Sequence, residues 1–116
     1  MRYMLLIYTD ESLAATMKEK EVNAVMGAYY AYGNAMREAG AHLSSEALNY
    51  ASQAKTVRVR NGKTLVTDGP YAETKEQLGG FYMVNAPNLD EAIVWATRCP
   101  GIQFAPIEIR PIVEHN

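Results

Sequence analysis

Apolar and polar positions alternate along this chain in ways that divide it into strands and helices. Arg2 to Tyr8 is a short apolar and aromatic run, which predicts a buried strand. After the polar stretch Asp10-Glu11-Ser12, Thr16-Met17-Lys18-Glu19 matches a capping box. In that motif threonine accepts from the amide three residues on and glutamate reaches back. Val22, Val25, Met26, Tyr29, Gly33 and Met36 then recur at three- and four-residue spacing. They form one stripe of a helix running from Thr16 to about Ala39, with Gly40 as its left-handed stop. Gly27 and Gly33 lie inside this helix, where each costs about 1 kcal/mol against alanine. Close approach of a neighbouring backbone is the expected reason.

Residues 42–48 are short enough for one strand. Thr56-Val57-Arg58-Val59-Arg60 alternates cleanly, Asn61-Gly62 is a strong hairpin turn, and Thr64-Leu65-Val66-Thr67 returns. Asp68-Gly69-Pro70 breaks that strand. A polar segment from Ala72 to Gln77 leads through Gly79-Gly80 into the strand Phe81-Tyr82-Met83-Val84. Asn88 suits an N-cap, with Glu91 at the capping-box position. Leu89, Ala92, Ile93 and Ala96 form the stripe of a second helix, closed by Pro100-Gly101. Ile107-Glu108-Ile109-Arg110 makes the last strand.

A parallel doubly wound fold needs a helix between nearly every pair of strands, and this chain lacks them. The order predicts an α+β fold: a ferredoxin-like antiparallel sheet with two helices on one face. The other face must meet water or a partner. In the first strand Tyr3, Leu5 and Ile7 point one way and Met4, Leu6 and Tyr8 the other, and both sets are apolar or aromatic. Phe81/Met83 and Tyr82/Val84 repeat this, whereas Arg58, Arg60, Glu108 and Arg110 put charge on the second face of the hairpin and last strand. A solvated face would be polar at every second position. Two sheets packed face to face about a two-fold axis, a dimeric α+β barrel, are therefore expected, enclosing a cavity with Arg58, Tyr82 and Arg110. The alternative is a monomer with exposed aromatics.

The 116 residues suit one domain, 1–116, with a composition that is ordinary for a globular protein. Eleven basic against thirteen acidic residues argue against nucleic acid as the main partner. No targeting segment or membrane span stands out, and Cys99, the single cysteine, fits a reducing compartment, so a cytoplasmic location is expected. Cys99 itself reads as a small buried hydrophobe. With two histidines, His42 and His115, and no ligand spacing, neither a metal nor a cofactor is expected. His42 reads as a surface or partly packed residue. Tyr29, Tyr30 and Tyr32 read as helix packing.

Asp68-Gly69-Pro70-Tyr71-Ala72-Glu73-Thr74-Lys75-Glu76 is the most unusual stretch. One reading is turn chemistry alone. The other places Asp68 at a strand end beside a cavity, half-buried against Tyr71 or Tyr82, where a raised pKa would suit acid-base work. Arg58, Tyr71, Glu73 and Tyr82 are then the candidate ligand-binding residues. The leading expectation is a homodimer that binds an unknown small molecule between helix and sheet, near the Asp68–Glu73 loop and Arg58, with weak acid-base catalysis as an extension. Its rivals are a non-catalytic interaction module and a purely structural dimer.

The run from Val66 to Tyr82, VTDGPYAETKEQLGGFY, resembles the signature of the YCII-related DGPF-domain proteins. Tyr71 stands where the tetrad naming that family ends in phenylalanine. Met4-Leu5-Leu6-Ile7-Tyr8, Ala54-Lys55-Thr56-Val57-Arg58 and Ile107-Glu108-Ile109-Arg110-Pro111-Ile112 resemble it too. The resemblance implies a dimeric α+β barrel of ferredoxin-like halves. Some relatives lie beside or are fused to extracytoplasmic-function sigma factors, so it also implies a sigma factor as an alternative partner. The broader YCII-like group has been proposed to use a histidine–aspartate pair in a cleft, with the histidine on the first helix. This sequence has no histidine between Thr16 and Ala39, which leaves Asp68 as the one candidate member.

Overall fold

The structure, a computed structural model, describes residues 1–115. Six strands and three helices follow in the order β1 (Arg2–Asp10), α1 (Glu11–Ala14), α2 (Glu19–Glu38), β2 (His42–Ala47), β3 (Lys55–Arg60), β4 (Lys63–Asp68), β5 (Glu76–Asn85), α3 (Leu89–Arg98) and β6 (Ile107–Pro111). Short 3-10 turns at Ala51–Gln53 and Pro100–Gln103 precede β3 and β6. The main sheet has the order β2-β5-β1-β6 and is antiparallel throughout. This is the ferredoxin-like arrangement, with the β3–β4 hairpin inserted between its second and third strands.

Both long helices pack on one face. Tyr3, Leu5 and Ile7 of β1 and Val84 of β5 meet Tyr32 and Met36 of α2 and Ala92, Trp95 and Ala96 of α3. Leu5, Met36, Val84 and Cys99 are fully buried, each apolar side chain contributing about 1.5–3 kcal/mol. Tyr32 donates its hydroxyl proton to the Trp95 carbonyl at 2.8 Å, which satisfies the one polar atom it brings into the core.

Gly40 has φ +70, and Asn61 and Gly62 have φ +52 and +75, the left-handed pair that a tight hairpin turn requires. The Asn88 carboxamide accepts from the Glu91 N–H at 2.9 Å, as an N-cap should. The first long helix, however, is capped two residues later than the Thr16 capping box predicts, at Lys18. Thr16 closes α1 instead, donating to the Leu13 carbonyl, and Glu21 reaches back to the Lys18 N–H. Gly27 has no neighbour within 4 Å of where a side chain would begin, so close backbone approach does not explain it; at Gly33 the neighbour is the Arg37 guanidinium, a side chain. The stripe on α2 is buried only in its second half, while Val22 and Met26 near the start are exposed.

The largest correction concerns the hairpin. β3 and β4 form a separate two-stranded sheet and do not extend the main one. Every residue of β4, and every residue of β3 but Thr56, is exposed. The radius of gyration is 16.3 Å, against roughly 13–14 Å for a compact chain of this length. The molecule is also flat, 49 × 47 × 17 Å, because a single helix layer covers a single sheet and the hairpin stands out from it as an arm.

Candidate functional site

A cleft of about 490 Å³ lies between α2 and the main sheet. Its wall on the helix side is Met26 and Tyr29; its floor is Ile7 and Thr9 of β1, Gly79, Gly80 and Tyr82 of β5, and Ser45 and Ala47 of β2. The opening exists because the strand pairing is irregular here. The β1–β5 register shifts between Ile7 and Tyr8, opposite Gly79. A side-chain carbon at Gly80 would sit 2.7 Å from the Glu46 carbonyl oxygen, and one at Gly79 would sit 2.2 Å from the Thr9 hydroxyl. Glycine is thus needed for strand approach, and the same two residues leave the floor bare. A smaller cleft of about 190 Å³ lies on the other side of α2, walled by Leu13, Met17, Val25 and Phe104, and shares Ile7, Thr9 and Tyr29 with the first.

Aromatic rings line one end of the larger cleft. Tyr82 lies parallel to Tyr29, with centroids 6.4 Å apart, and Tyr32 meets Tyr82 edge-on at 5.1 Å. The Tyr29 hydroxyl contacts the Cys99 thiol at 3.6 Å. Gly101 makes room for it, since a side-chain carbon there would sit 2.5 Å from that oxygen. Burial, followed by the neighbouring Cys99, pushes the Tyr29 phenol well above its ordinary range, so it remains a proton donor at neutral pH. Burial likewise pushes the Tyr82 phenol and the Cys99 thiol up. Cys99 is therefore an inert buried thiol.

His42 stands behind this wall. Its Nε2 lies 2.9 Å from the Ser45 hydroxyl, and its ring meets Tyr82 edge-on at 6.1 Å. Burial, and then the Arg37 charge, holds its pKa below the ordinary histidine value, which favours the neutral imidazole. It is the nearest thing to a base behind the cleft, and it reaches the cleft through Ser45.

Of the residues picked from sequence, only Tyr82 lines the cleft. It faces the helices, paired in register with Leu5, and not the outer face where a cavity between two sheets would lie. Arg110 is on that outer face, in register with Met4 and Met83. Arg58 is on the hairpin, its guanidinium 5.5 Å from the centre of the Tyr71 ring. Asp68 is at the hairpin base, exposed and ion-paired with Lys55, so it is not half-buried against either tyrosine. Tyr71 and Glu73 are exposed on the loop that follows. The Asp-Gly-Pro segment forms a hydrogen-bonded turn at the base of the hairpin. Gly69 takes φ +95 and donates its N–H to the Ala54 carbonyl at 2.8 Å, and the Thr56 hydroxyl donates to the Gly69 carbonyl at 2.9 Å. Gln77 then pins the loop by donating to the Ala72 and Thr74 carbonyls. This segment therefore sets the base of the arm.

The YCII-related domain matches the whole chain, residues 1–116. The chain belongs to the YCII-related family. An uncharacterized protein of Rhizobium meliloti (strain 1021), R00369, is 41% identical over 114 residues, covering 97% of this chain and 92% of that one. Among the described residues, no group of three or more His, Cys, Asp or Glu is arranged to hold a metal ion, and no helix is long and apolar enough to cross a membrane.

Tyr29 packs against the core and His42 is half-buried, as the sequence suggested, and both also stand at the cleft, Tyr29 in its wall and His42 behind Ser45. Tyr29 sits on an ordinary helical stripe, and nothing local distinguishes a tyrosine bordering a cleft from one in the core. His42 lies two residues after the Gly40 helix stop, at the start of β2.

Proposed function

We propose that this YCII-related protein is a homodimer that binds a small molecule in the cleft between α2 and the main sheet. The observation that carries the reading is the cleft, with its bare glycine floor and aromatic wall. Such a site suits a ligand with an apolar or aromatic body and one polar end. The body would lie along Met26, Ile7 and Tyr82, and the polar end would meet Tyr29, Thr9 or Ser45. Any proton transfer there falls to Tyr29 and, through Ser45, to His42, because Asp68 lies outside the cleft.

The dimer part of the reading is supported by the outer sheet face. Met4, Leu6, Tyr8, Phe81 and Met83 stand there with no helix over them. Glu108 and Arg110 flank them on β6, and Ser44 and Glu46 on β2. An apolar strip bordered by charge is what a second copy would cover.

The test is ligand capture. The purified protein is examined by native mass spectrometry and then by thermal melting against a library of small metabolites. A ligand at 100 times its Kd stabilises the folded state by about 2.7 kcal/mol. In a domain of this size that raises Tm by roughly 10 °C. Ala47→Phe, which puts a large ring on the exposed β2 edge of the cleft floor, should abolish the rise while leaving the ligand-free Tm within a few degrees. No retained molecule and no stabilising compound, or an equal rise in the Ala47→Phe variant, contradicts the reading.

A further inference from the structure

The β3–β4 arm is the least explained part of the molecule. It is a two-stranded hairpin, exposed on both faces, and such a hairpin alone is marginally stable in water. Yet it carries Val57, Val59, Leu65 and Val66 at 44–67% exposure. Val57 pairs with Val66, with Val59 on the same side. Arg58, Arg60 and Lys63 share the opposite side. Four of the chain's 11 basic side chains and one of its 13 acidic ones lie in residues 55–68, so the arm carries +3. The formal charge of the whole chain is −2, which leaves −5 on the rest of it.

We infer that this arm docks on the acidic body of a second copy of the same chain, as a clasp that completes the dimer. The inference rests on the dimer reading above and adds where the arm goes. Two observations choose this occupant. The first is charge: a +3 arm is attracted to a −5 body, and each copy supplies both surfaces, as two-fold symmetry requires. A nucleic acid would attract the arm but repel the body, and phosphates offer nothing to three valines on one side. The second is extent. The outer sheet face presents nine side chains, at Met4, Leu6, Tyr8, Phe81, Met83 and their flanking neighbours on β2 and β6. A stable interface uses roughly 20–30 residues a side. The 14 residues of the arm bring the total into that range. The Lys55–Asp68 pair, the Gly69 turn and the Arg58–Tyr71 contact close the base of the hairpin on itself.

The experiment follows hydrogen exchange of the β3 and β4 amides in the full chain across the concentration range in which sedimentation shows dimer forming. The arm amides should slow at least tenfold as dimer replaces monomer, and rising salt should reverse this along with dimerisation. Arg60→Glu/Lys63→Glu, at the tip and far from both sheet face and cleft, should weaken dimerisation at least tenfold. Val57→Thr/Val66→Thr, which keeps strand propensity, should weaken it without changing its salt dependence. A dimer whose arm amides exchange as fast as the monomer's, or one indifferent to both double variants, overturns the clasp and leaves the dimer standing. A chain that stays monomeric throughout overturns the dimer itself. Protection that appears only on adding a polyanion such as heparin overturns the choice of occupant.

Discussion

Gly27 lies on the exposed half of α2 with open space where a side chain would begin. Gly27→Ala should therefore stabilise the chain by about 0.5–1 kcal/mol, through helix propensity and a less flexible unfolded state. Urea unfolding checks this. Gly101 is the opposite case. An added carbon meets the Tyr29 oxygen at 2.5 Å and Ile7 at 3.4 Å, so Gly101→Ala should cost about 1–3 kcal/mol. Tyr29→Phe removes that oxygen, and the double variant should recover much of the loss, a coupling that a thermodynamic cycle measures directly. At His42 the expected signature is pH. Burial and Arg37 lower its pKa in the folded chain, so near pH 6 the unfolded chain binds more protons. Stability should fall as pH drops through the ordinary histidine value of about 6.5 and level off below the folded value. His42→Gln should flatten the profile between about pH 7.5 and 5.5, a window above the carboxylate titrations.

At the scale of elements, Asn88→Ala should cost about 1 kcal/mol, because the Glu91 N–H loses its acceptor at the start of α3. That cap was visible in the sequence, as were the Asn61-Gly62 turn, the Gly40 stop and the last strand, because each depends on a few adjacent residues. What decides the site depends on partners distant in the chain. Both sides of β1 and β5 are apolar, so alternation shows two faces without saying which one the helices cover. Tyr82 could thus be picked as a site residue and still be assigned to the wrong face. Arg58 alternates with valines as a half-buried strand would, and only the pairing reveals that β3 has a single neighbour and no main sheet beside it. Asp68 next to glycine and proline read equally as a turn and as chemistry at a cavity; its ion-pair partner, Lys55, lies 13 residues back across the hairpin. The cleft left no local mark except Gly79-Gly80, and two glycines at a strand start read as well for a bulge as for a floor.

The whole molecule is one helix layer on one sheet, with a basic arm projecting from an acidic body. Its helix side is closed by a core around Leu5 and Met36, while on its other side an apolar strip is half-buried with no helix over it, and its arm leaves apolar residues exposed. The proposed second copy would cover both. A charge placed in the middle of the outer strip should therefore disrupt assembly and spare the fold. Leu6→Lys should leave far-UV circular dichroism unchanged while raising the dimer dissociation constant by at least a hundredfold, since it buries an unpaired ammonium at the centre of the interface. The most direct measurement is the mass of the unaltered chain in solution, by sedimentation at micromolar concentration and moderate salt. The account predicts twice the 12.9 kDa of one chain. A single species at 12.9 kDa under those conditions would contradict it.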